Sequence, residues 1–309
     1  MALDKHPNSV IAKNVPVLST IILNGLDLRR ITVVATPTLT ADHQKSLDEI
    51  EQTVSESALK MIYKLNDAVF RPVFSQLVDW SAGSATTVPN ATSLAKSDVQ
   101  GRTLRQISVY GFLQTFFDTL KGVVAGYASY IVDNAVALLA STTADAGALK
   151  DAAQKELRRR VLRTLAKCFE HDQQGFWQAP AHFSAVQPVL VQQFLHAASA
   201  DDETTQACLI PAVVELAAAA DSKEHHKELN GALLKLLRNE KAAVRIGVIR
   251  CQQALTARLG EEWLATLPEM LPYISELQDD DDETVDMENS KWIVGIEEIL
   301  GESLDSMLH

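Results

Sequence analysis

The sequence predicts an all-α protein built from antiparallel helix pairs, and three observations support this fold class. Helix breakers are scarce, because the 309 residues include only 13 glycines and 10 prolines, whereas alanine and leucine, both strong helix formers, are abundant. Apolar residues recur at steps of three and four residues over much of the chain, which is the spacing of one helix face. No convincing run of alternating apolar and polar residues predicts a strand.

The residues up to Trp80 predict three helices. Val17–Leu28 is the first, and Thr40 is a typical N-cap for the second. The third begins near Phe70, because the first turn of a helix tolerates Pro72, whose missing N–H has no helical partner there. The apolar face of the second helix consists of Leu47, Ile50, Val54, Ala58, Met61 and Leu65.

The middle of the chain predicts a loop followed by longer helices. Residues 81–97 are rich in serine, alanine, threonine and proline, which predicts a mobile loop. Leu104–Leu120 and Val123–Ala140 predict two helices, and residues 141–147 predict a short connection. Asp151–Glu170 predicts another helix, after which shorter helices alternate with polar turns to the C-terminus.

The C-terminal half contains an internal repeat. Val244 and Val285 each begin a predicted helix after a polar turn, and Gly260 and Gly301 end these helices. The two valines are 41 residues apart, and so are the two glycines. HEAT repeats have a period of about 40 to 47 residues, so we predict a HEAT-like helical-repeat solenoid. The alternative is a helical bundle in which this spacing is coincidental.

A shorter match relates the two halves of the chain. Pro72 and Asp79 have the same spacing as Pro272 and Asp279. This spacing predicts a proline at the entry or at a kink of a first helix and an aspartate that caps the turn into a second. We therefore expect residues 1–140 to form irregular helical repeats and residues 148–309 to form HEAT-like repeats, joined in one continuous solenoid.

Charge and cysteine usage narrow the class of protein. The net charge of −12 argues against a protein that coats nucleic acid with its whole surface, although a local basic face remains compatible with it. Cys168, Cys208 and Cys251 are 40 and 43 residues apart. This spacing favours buried small apolar residues in a reducing intracellular compartment over a disulfide framework.

Motifs of catalysis and of ligand binding are absent from the sequence. There is no serine-nucleophile elbow, no zinc-binding histidine pair and no phosphate-binding loop. The most apolar stretch, 122–140, contains Asp133 and Asn134, which favours a buried helix over a membrane span. We expect no catalytic site, cofactor, metal, small-molecule substrate or membrane partner; an enzyme with an unfamiliar helical site is the weakest alternative.

A basic cluster on the predicted helix 151–170 is a candidate contact for RNA or a protein partner. Arg159, Arg163 and Lys167 lie on one helix face at four-residue steps. Lys155, Arg158 and Arg160 belong to the same cluster. Such a stripe can contact phosphates, while the alternative is an ordinary solvated face paired with neighbouring acids.

Two further charged clusters lie at the repeat turns. Lys235, Arg238 and Lys241, with Arg245, form a weaker basic cluster around the first turn. The second turn is acidic, and its five acids are candidate docking residues for a basic partner: Asp279, Asp280, Asp281, Asp282 and Glu283. The alternative for the acids is a solvated turn that stabilises a helix N-terminus through the helix dipole.

Several segments carry a resemblance to a known family. They are Lys64–Phe74 continuing to Asp79 and Trp80, Leu267–Leu277, Leu300–Leu304, Leu26–Arg29 and Lys241–Arg245. Through them the chain resembles the C-terminal region of the U-three small nucleolar RNA-associated protein ten family, also called the HEAT repeat-containing protein one family. The family's members are large proteins of the small-subunit processome, so the chain is expected to correspond to the C-terminal part of a much longer protein.

The resemblance implies that the protein is a non-catalytic scaffold located in the nucleus, specifically in the nucleolus. It implies a role in the small-subunit processome, or 90S pre-ribosome, in pre-ribosomal RNA processing and small-subunit biogenesis, and a link to ribosomal DNA transcription. The implied partners are other processome proteins, the 5′ external transcribed spacer of pre-ribosomal RNA, and the U-three small nucleolar ribonucleoprotein with its small nucleolar RNA. The alternative is a HEAT-repeat adaptor of another class, such as a nuclear transport or phosphatase-type scaffold.

Overall fold

The described part of the protein is helical throughout. The computed structural model describes residues 5–36, 38–83, 94, 95, 97–144, 149 and 151–308, and within these ranges every regular element is a helix. This confirms the predicted all-α fold class. Most of the predicted loop, at 84–93 and 96, and the end of the predicted connection, at 145–147, lie outside the described residues.

The chain divides into two compact units. Unit 1 comprises Met1–Asn134 and Gly147–Thr164, and unit 2 comprises Ala135–Ala146 and Leu165–His309. The sequence-based division into residues 1–140 and 148–309, and the single continuous solenoid, stay predictions.

In its described residues, unit 1 contains six complete α-helices, one 3-10 segment and parts of two more helices. The α-helices are α1 (Asn8–Lys13), α2 (Val15–Leu26), α3 (Leu28–Ala35), α4 (Ala41–Ile62), α5 (Asp67–Ser81) and α6 (Val99–Leu120), followed by the 3-10 segment Lys121–Tyr130. α7 (Val132–Ala144) and α8 (Ala152–Glu170) each contribute to both units. Thr40 caps α4 by accepting a hydrogen bond from the backbone N–H of His43, as the sequence predicts.

The core of unit 1 is aromatic. Phe74 and Phe116 are fully buried, and their ring centroids lie 5.2 Å apart. Phe70 and Tyr127 pack around the same pair at centroid distances of 4.9 to 5.9 Å. These rings join α5 and α6 to the 3-10 segment, because one aromatic side chain can contact neighbours on several helices at once.

The structure corrects three sequence-based expectations in this unit. The predicted first helix at 17–28 is interrupted, because α2 ends at Leu26 and α3 begins at Leu28. The intervening Asp27 is buried and holds two arginines. Pro72 lies inside α5 rather than in its first turn, since α5 begins at Asp67. Asp79 also lies inside α5 and so caps no turn.

Unit 2 is a succession of helices in which the predicted repeat is present. Its complete α-helices are α9 (Pro180–Gln192), α10 (Ile210–Ala220), α11 (Lys223–Leu236), α12 (Ala242–Leu259), α13 (Glu261–Leu264), α14 (Leu267–Leu277), α15 (Glu283–Leu300) and α16 (Asp305–Leu308). The 3-10 segments Phe176–Gln178 and Gln193–His196 and the π-helix Thr205–Leu209 complete it. α12 packs against α10 on one side and α15 on the other, which is the stacking expected of helical repeats.

The repeat is visible in helix length and in helix ends. α12 and α15 both contain 18 residues. Gly260 and Gly301 end them with φ values of 58° and 73°, where glycine has no Cβ to strain. The tryptophans Trp263 and Trp292 are buried, and their indole N–H groups donate to Gln252 and Thr256 respectively.

The cysteines and the apolar stretch have defined environments. Cys168, Cys208 and Cys251 are buried and free, and burial raises the pKa of the Cys168 and Cys251 thiols. Within the described ranges, no single helix meets the length and apolarity of a membrane span; the bent pair Val99–Tyr130 and Val132–Thr142 meets them together.

Candidate partner-binding surfaces

One face of α8 attaches it to unit 1. Leu157 and Val161 point into the core and are buried. The Gln154 side chain donates to the Thr103 hydroxyl at 3.0 Å, and Thr164 donates to the backbone carbonyl of Tyr110 at 2.9 Å. Arg158, Leu162 and Leu165 are buried as well. The exposed or half-buried positions, which include Lys155, Arg159 and Arg163, lie away from this buried face.

Arg160 points away from the predicted stripe. Its guanidinium lies 2.7 Å from Glu156 and 2.9 Å from Asp48, and it also approaches Glu51. Asp48 and Glu51 belong to α4, where they also bind Arg29. The observed contacts of Arg160 therefore tie α8 to α4. A role in RNA or partner contact stays a prediction for this residue.

The outward cations of α8 in unit 1 are Lys155, Arg159 and Arg163, which we call the α8 stripe. They follow one another at four-residue steps. Lys155 is exposed, while Arg159 and Arg163 are half-buried. Arg159 has a long ion pair with Glu156, at 3.9 Å. Lys167, the last predicted member of the face, is bound by Glu170 at 2.8 Å.

The basic and acidic repeat turns lie against each other in unit 2. Arg238 makes a two-pronged contact with Glu276, at 2.6 and 2.8 Å, and its guanidinium lies 4.5 Å from the centroid of the Tyr273 ring. This hydrogen bonding holds the pKa of Glu276 below its ordinary value. Arg245 binds Asp280 at 2.7 Å. Between the turns is a polar groove of about 370 Å³.

The five acids of the second turn have different roles in the structure. Asp282, rather than the expected Asp279, caps the next helix by accepting from the backbone N–H groups of Thr284 and Val285. Asp280 is engaged by Arg245. Asp279, Asp281 and Glu283 are exposed, as are Lys235 and Lys241 of the basic cluster. These exposed residues remain candidates for partner contact.

An exposed apolar surface on α2 and α3 is absent from the sequence-based predictions. Its members are 36 to 65% exposed; they are Val17, Ile21, Leu28, Ile31 and Val34. Several exposed large apolar side chains on neighbouring helices are typical of protein-binding sites where they form one patch. The signal in the sequence is that α2, VPVLSTIILNGL, is apolar around most of its circumference, whereas a helix packed on one side has a polar face.

The chain is similar to known proteins over most or all of its length. Residues 10–177 match the family model described as the BP28CT (NUC211) domain. The chain is 63% identical over 308 residues to the U3 small nucleolar RNA-associated protein 10 of Chaetomium globosum, which covers 100% of this chain and 17% of that protein. It is 61% identical over 307 residues to the protein of the same name from Neurospora crassa, covering 99% of this chain and 16% of that protein.

The matched region has a defined place in these relatives and a more distant likeness among solved structures. The chain spans about one sixth of the length of the curated relatives and corresponds to their C-terminal part. A designed armadillo repeat protein aligns with 90% of this chain and 99% of its own, at a TM-score of 0.40 and 15% sequence identity.

Proposed function

Since the chain belongs to the U3 small nucleolar RNA-associated protein 10 family, we propose that it is a non-catalytic scaffold of the small-subunit processome. The observation that carries this proposal is the match of the whole chain to relatives named for association with U3 small nucleolar RNA. In this proposal the protein acts in the nucleolus, in pre-ribosomal RNA processing, and is linked to ribosomal DNA transcription. Its partners are other processome proteins, the U3 small nucleolar ribonucleoprotein and the 5′ external transcribed spacer.

The structure provides surfaces that suit a scaffold. Stacked helix pairs present long outer faces rather than one deep site, and specific protein interfaces need about 800 Å² on each partner. The exposed apolar residues of α2 and α3 are suited to a protein partner. The whole-chain family match favours a processome scaffold over a nuclear transport or phosphatase adaptor.

Within this function, we assign the α8 stripe to RNA phosphates. Lys155, Arg159 and Arg163 project from one face of a helix whose other face is anchored in unit 1. Positive charge on a rigid helix can contact successive phosphates without reading sequence. Arg160 and Lys167 bind carboxylates at 2.7 and 2.8 Å, closer than the 3.9 Å between Arg159 and Glu156, so we expect these two to contribute less.

The exposed charges of the repeat turns receive complementary roles in this proposal. Asp279, Asp281 and Glu283 would dock a basic segment of a processome protein. Lys235 and Lys241 would contact phosphate nearby. Arg238 and Arg245 are held by Glu276 and Asp280, so their part is to keep the two turns together.

The test of the RNA role is a salt series. Binding of a fluorescent 5′ external transcribed spacer RNA to the 309-residue chain is measured by anisotropy, with an unrelated RNA of equal length alongside. Loss of two phosphate contacts with single-stranded RNA lowers the slope of log affinity against log salt by about 1.4. We expect that change in the double variant R159E/R163E.

The matched control is K13E/K223E, which changes the net charge equally at two exposed lysines away from α8. It should leave the salt slope unchanged. If both double variants lowered the salt slope equally, the assignment of the α8 stripe to RNA phosphates would be wrong. An absence of RNA binding near physiological salt would leave a scaffold that docks proteins only, to be examined by pull-down of processome proteins with variants of Ile21 and Ile31.

A further inference from the structure

An apolar groove in unit 1 has a composition that points to a binding partner. It lies where the turn between α4 and α5 meets the end of α6 and the 3-10 segment, and its volume is about 400 Å³. Its apolar lining includes Ile62, Leu65, Phe70, Leu120, Val124 and Tyr127. This volume and lining are typical of sites that receive a few apolar groups.

Two apolar side chains at this groove are left in solvent. Tyr63 is 62% exposed and Val123 is 86% exposed, the highest value among the exposed large apolar side chains of the described residues. A single exposed apolar residue on a protein surface is ordinary. Here, however, both line the same groove, so they extend its apolar surface outwards.

The backbone beside Val123 is held in an unusual conformation. Lys121, at the end of α6, has a φ of 51° and a ψ of −137°, a region that residues with a Cβ rarely adopt. Such conformations persist where the surrounding structure holds them, and they cluster at functional sites. Lys121 is the first residue of the 3-10 segment Lys121–Tyr130, which contains Val123.

Two lysines adjoin lining residues of the groove in the sequence, while the charged residue that lines it is Asp67. Lys64 lies between two lining residues, Tyr63 and Leu65, and Lys121 follows directly on a third, Leu120. Neither lysine has an ion-pair partner in the part of the chain that the structure describes. In a chain with a net charge of −12, two unpaired lysines beside an apolar groove favour an acidic partner.

The acids near the groove are already engaged. The carboxylate of Asp67, which lines it, accepts a hydrogen bond from the Tyr127 hydroxyl at 2.6 Å and binds Arg71 at 2.6 Å. Asp118, one turn before Lys121, has an interaction of its own. Of these charged residues, only Lys64 and Lys121 have no ion-pair partner in the described part of the chain, so they remain available to an acidic ligand.

We propose that this groove binds a peptide segment of a partner protein in which large apolar side chains are flanked by aspartate or glutamate. The apolar side chains enter between Phe70, Leu120 and Tyr127, and the acids pair with Lys64 and Lys121. The apolar lining favours a peptide over a phosphate backbone, which has no apolar group to bury. The proposal adds a partner chemistry to the scaffold role, and it stands whether or not the partner belongs to the processome.

The experiment selects the ligand from a random library. Phage-displayed dodecapeptides are panned against the full chain, with counter-selection against V123D. Because Val123 is highly exposed, we expect V123D to have the melting temperature of the wild type. Measuring that temperature shows whether the variant is folded. We expect enriched peptides that combine large apolar residues with aspartate or glutamate.

Labelled copies of the enriched peptides are then measured by anisotropy. We expect at least a tenfold loss of affinity in K64E/K121E and in V123D, and weaker binding at higher salt. The control K13E/K223E has the same net charge as K64E/K121E and should bind like wild type. The control V294D tests an exposed valine of unit 2 and should also bind like wild type.

Three results would overturn the proposal: no enrichment, enrichment of basic or acid-free peptides, or equal binding by V123D. If no peptide is enriched and K64E/K121E binds the 5′ external transcribed spacer RNA more weakly than wild type does, the two lysines contact RNA. The peptide site is then rejected. Failure of the RNA assignment to the α8 stripe would leave this result unaffected, because the two double variants share no residue.

Discussion

At the residue scale, Asp27 shows how a short break between helices is held in place. Its carboxylate is fully buried and binds Arg30 at 2.5 Å and Arg105 at 3.0 Å. The Arg105 guanidinium is buried as well and lies 3.9 Å from the centroid of the Trp80 ring. A buried charge is tolerated only when paired and hydrogen-bonded, so the aspartate and the arginines depend on one another.

Asp27→Asn should therefore destabilise the protein strongly. The substitution leaves the buried Arg105 without its carboxylate, and removing one partner of a buried pair costs about 3 to 5 kcal/mol. The measurement is the free energy of unfolding in urea. Glu269→Gln, which removes an exposed pair with Lys227, should have a small effect. Similar losses in the two variants would contradict the structural role of Asp27.

Glu288 should make the stability of the protein depend on pH in the acidic range. Burial disfavours its charged form, but hydrogen bonds from Arg250, Lys291 and Gln253 outweigh burial and lower its pKa. A carboxyl whose pKa is lower in the folded state contributes stability above its unfolded pKa, and this contribution is lost as pH falls through the folded pKa. Glu288→Gln should be less stable than wild type at pH 7, and the difference should shrink below about pH 4.

Melting temperatures measured from about pH 7 down to about pH 3.5 test this expectation. Glu302→Gln, at an exposed position, controls for the change of one carboxyl and should follow wild type throughout. A difference between Glu288→Gln and wild type that stays constant over this range would mean that the loss comes from packing rather than from charge.

At the scale of the element, the start of α15 shows how the acidic turn is used. Asp282 accepts hydrogen bonds from the backbone N–H groups of Thr284 at 2.9 Å and Val285 at 3.3 Å. The Thr284 N–H is one of the first-turn groups that have no partner within a helix, while the Val285 N–H also donates to the Asp282 backbone carbonyl at 2.9 Å. One acid of the turn is thus a helix cap, and the exposed Asp279 and Asp281 are free of that role.

Asp282→Ala should destabilise α15 by about 1 kcal/mol, the usual cost of removing an N-cap. Asp281→Ala, one residue earlier and exposed, is the matched control. Hydrogen exchange of the first-turn amides of α15 should accelerate in Asp282→Ala and stay as in wild type in Asp281→Ala. Equal exchange in the two variants would show that the cap is not needed.

At the scale of the whole molecule, the compact units draw on separate stretches of the chain. Unit 1 takes residues Gly147–Thr164 in addition to Met1–Asn134. These residues include most of α8, with the buried Leu157 and Val161. The contacts of Arg160 with α4 and of Thr164 with α6 lie within the same unit.

A fragment that ends at residue 164 should therefore fold better than one that ends at residue 140. The fragment 1–140 lacks α8, so the surfaces of α4 and α6 that bind it become exposed. We expect cooperative thermal unfolding by circular dichroism for 1–164 and a broad, early transition for 1–140. Cooperative unfolding of both fragments would support the sequence-based boundary at residue 140 instead.

Local sequence was enough to predict the helical class, the repeat period of 41 residues, the helix ends at Gly260 and Gly301, and the N-cap at Thr40. These features depend on spacing and backbone conformation within a few turns, which a single stretch of residues contains. The start of α5 was mispredicted from Pro72, although a local signal was present: Asn66 caps the helix by accepting from the backbone N–H of Val69.

Which charges are available to partners became clear only from the packing of distant helices. Arg160 donates to Asp48, which is 112 residues away in the sequence, and Arg238 donates to Glu276, which is 38 residues away. A stripe of arginines looks the same in the sequence whether its members face solvent or acids on another helix. An ion pair depends on where distant helices meet, and helix packing, not local spacing, determines that.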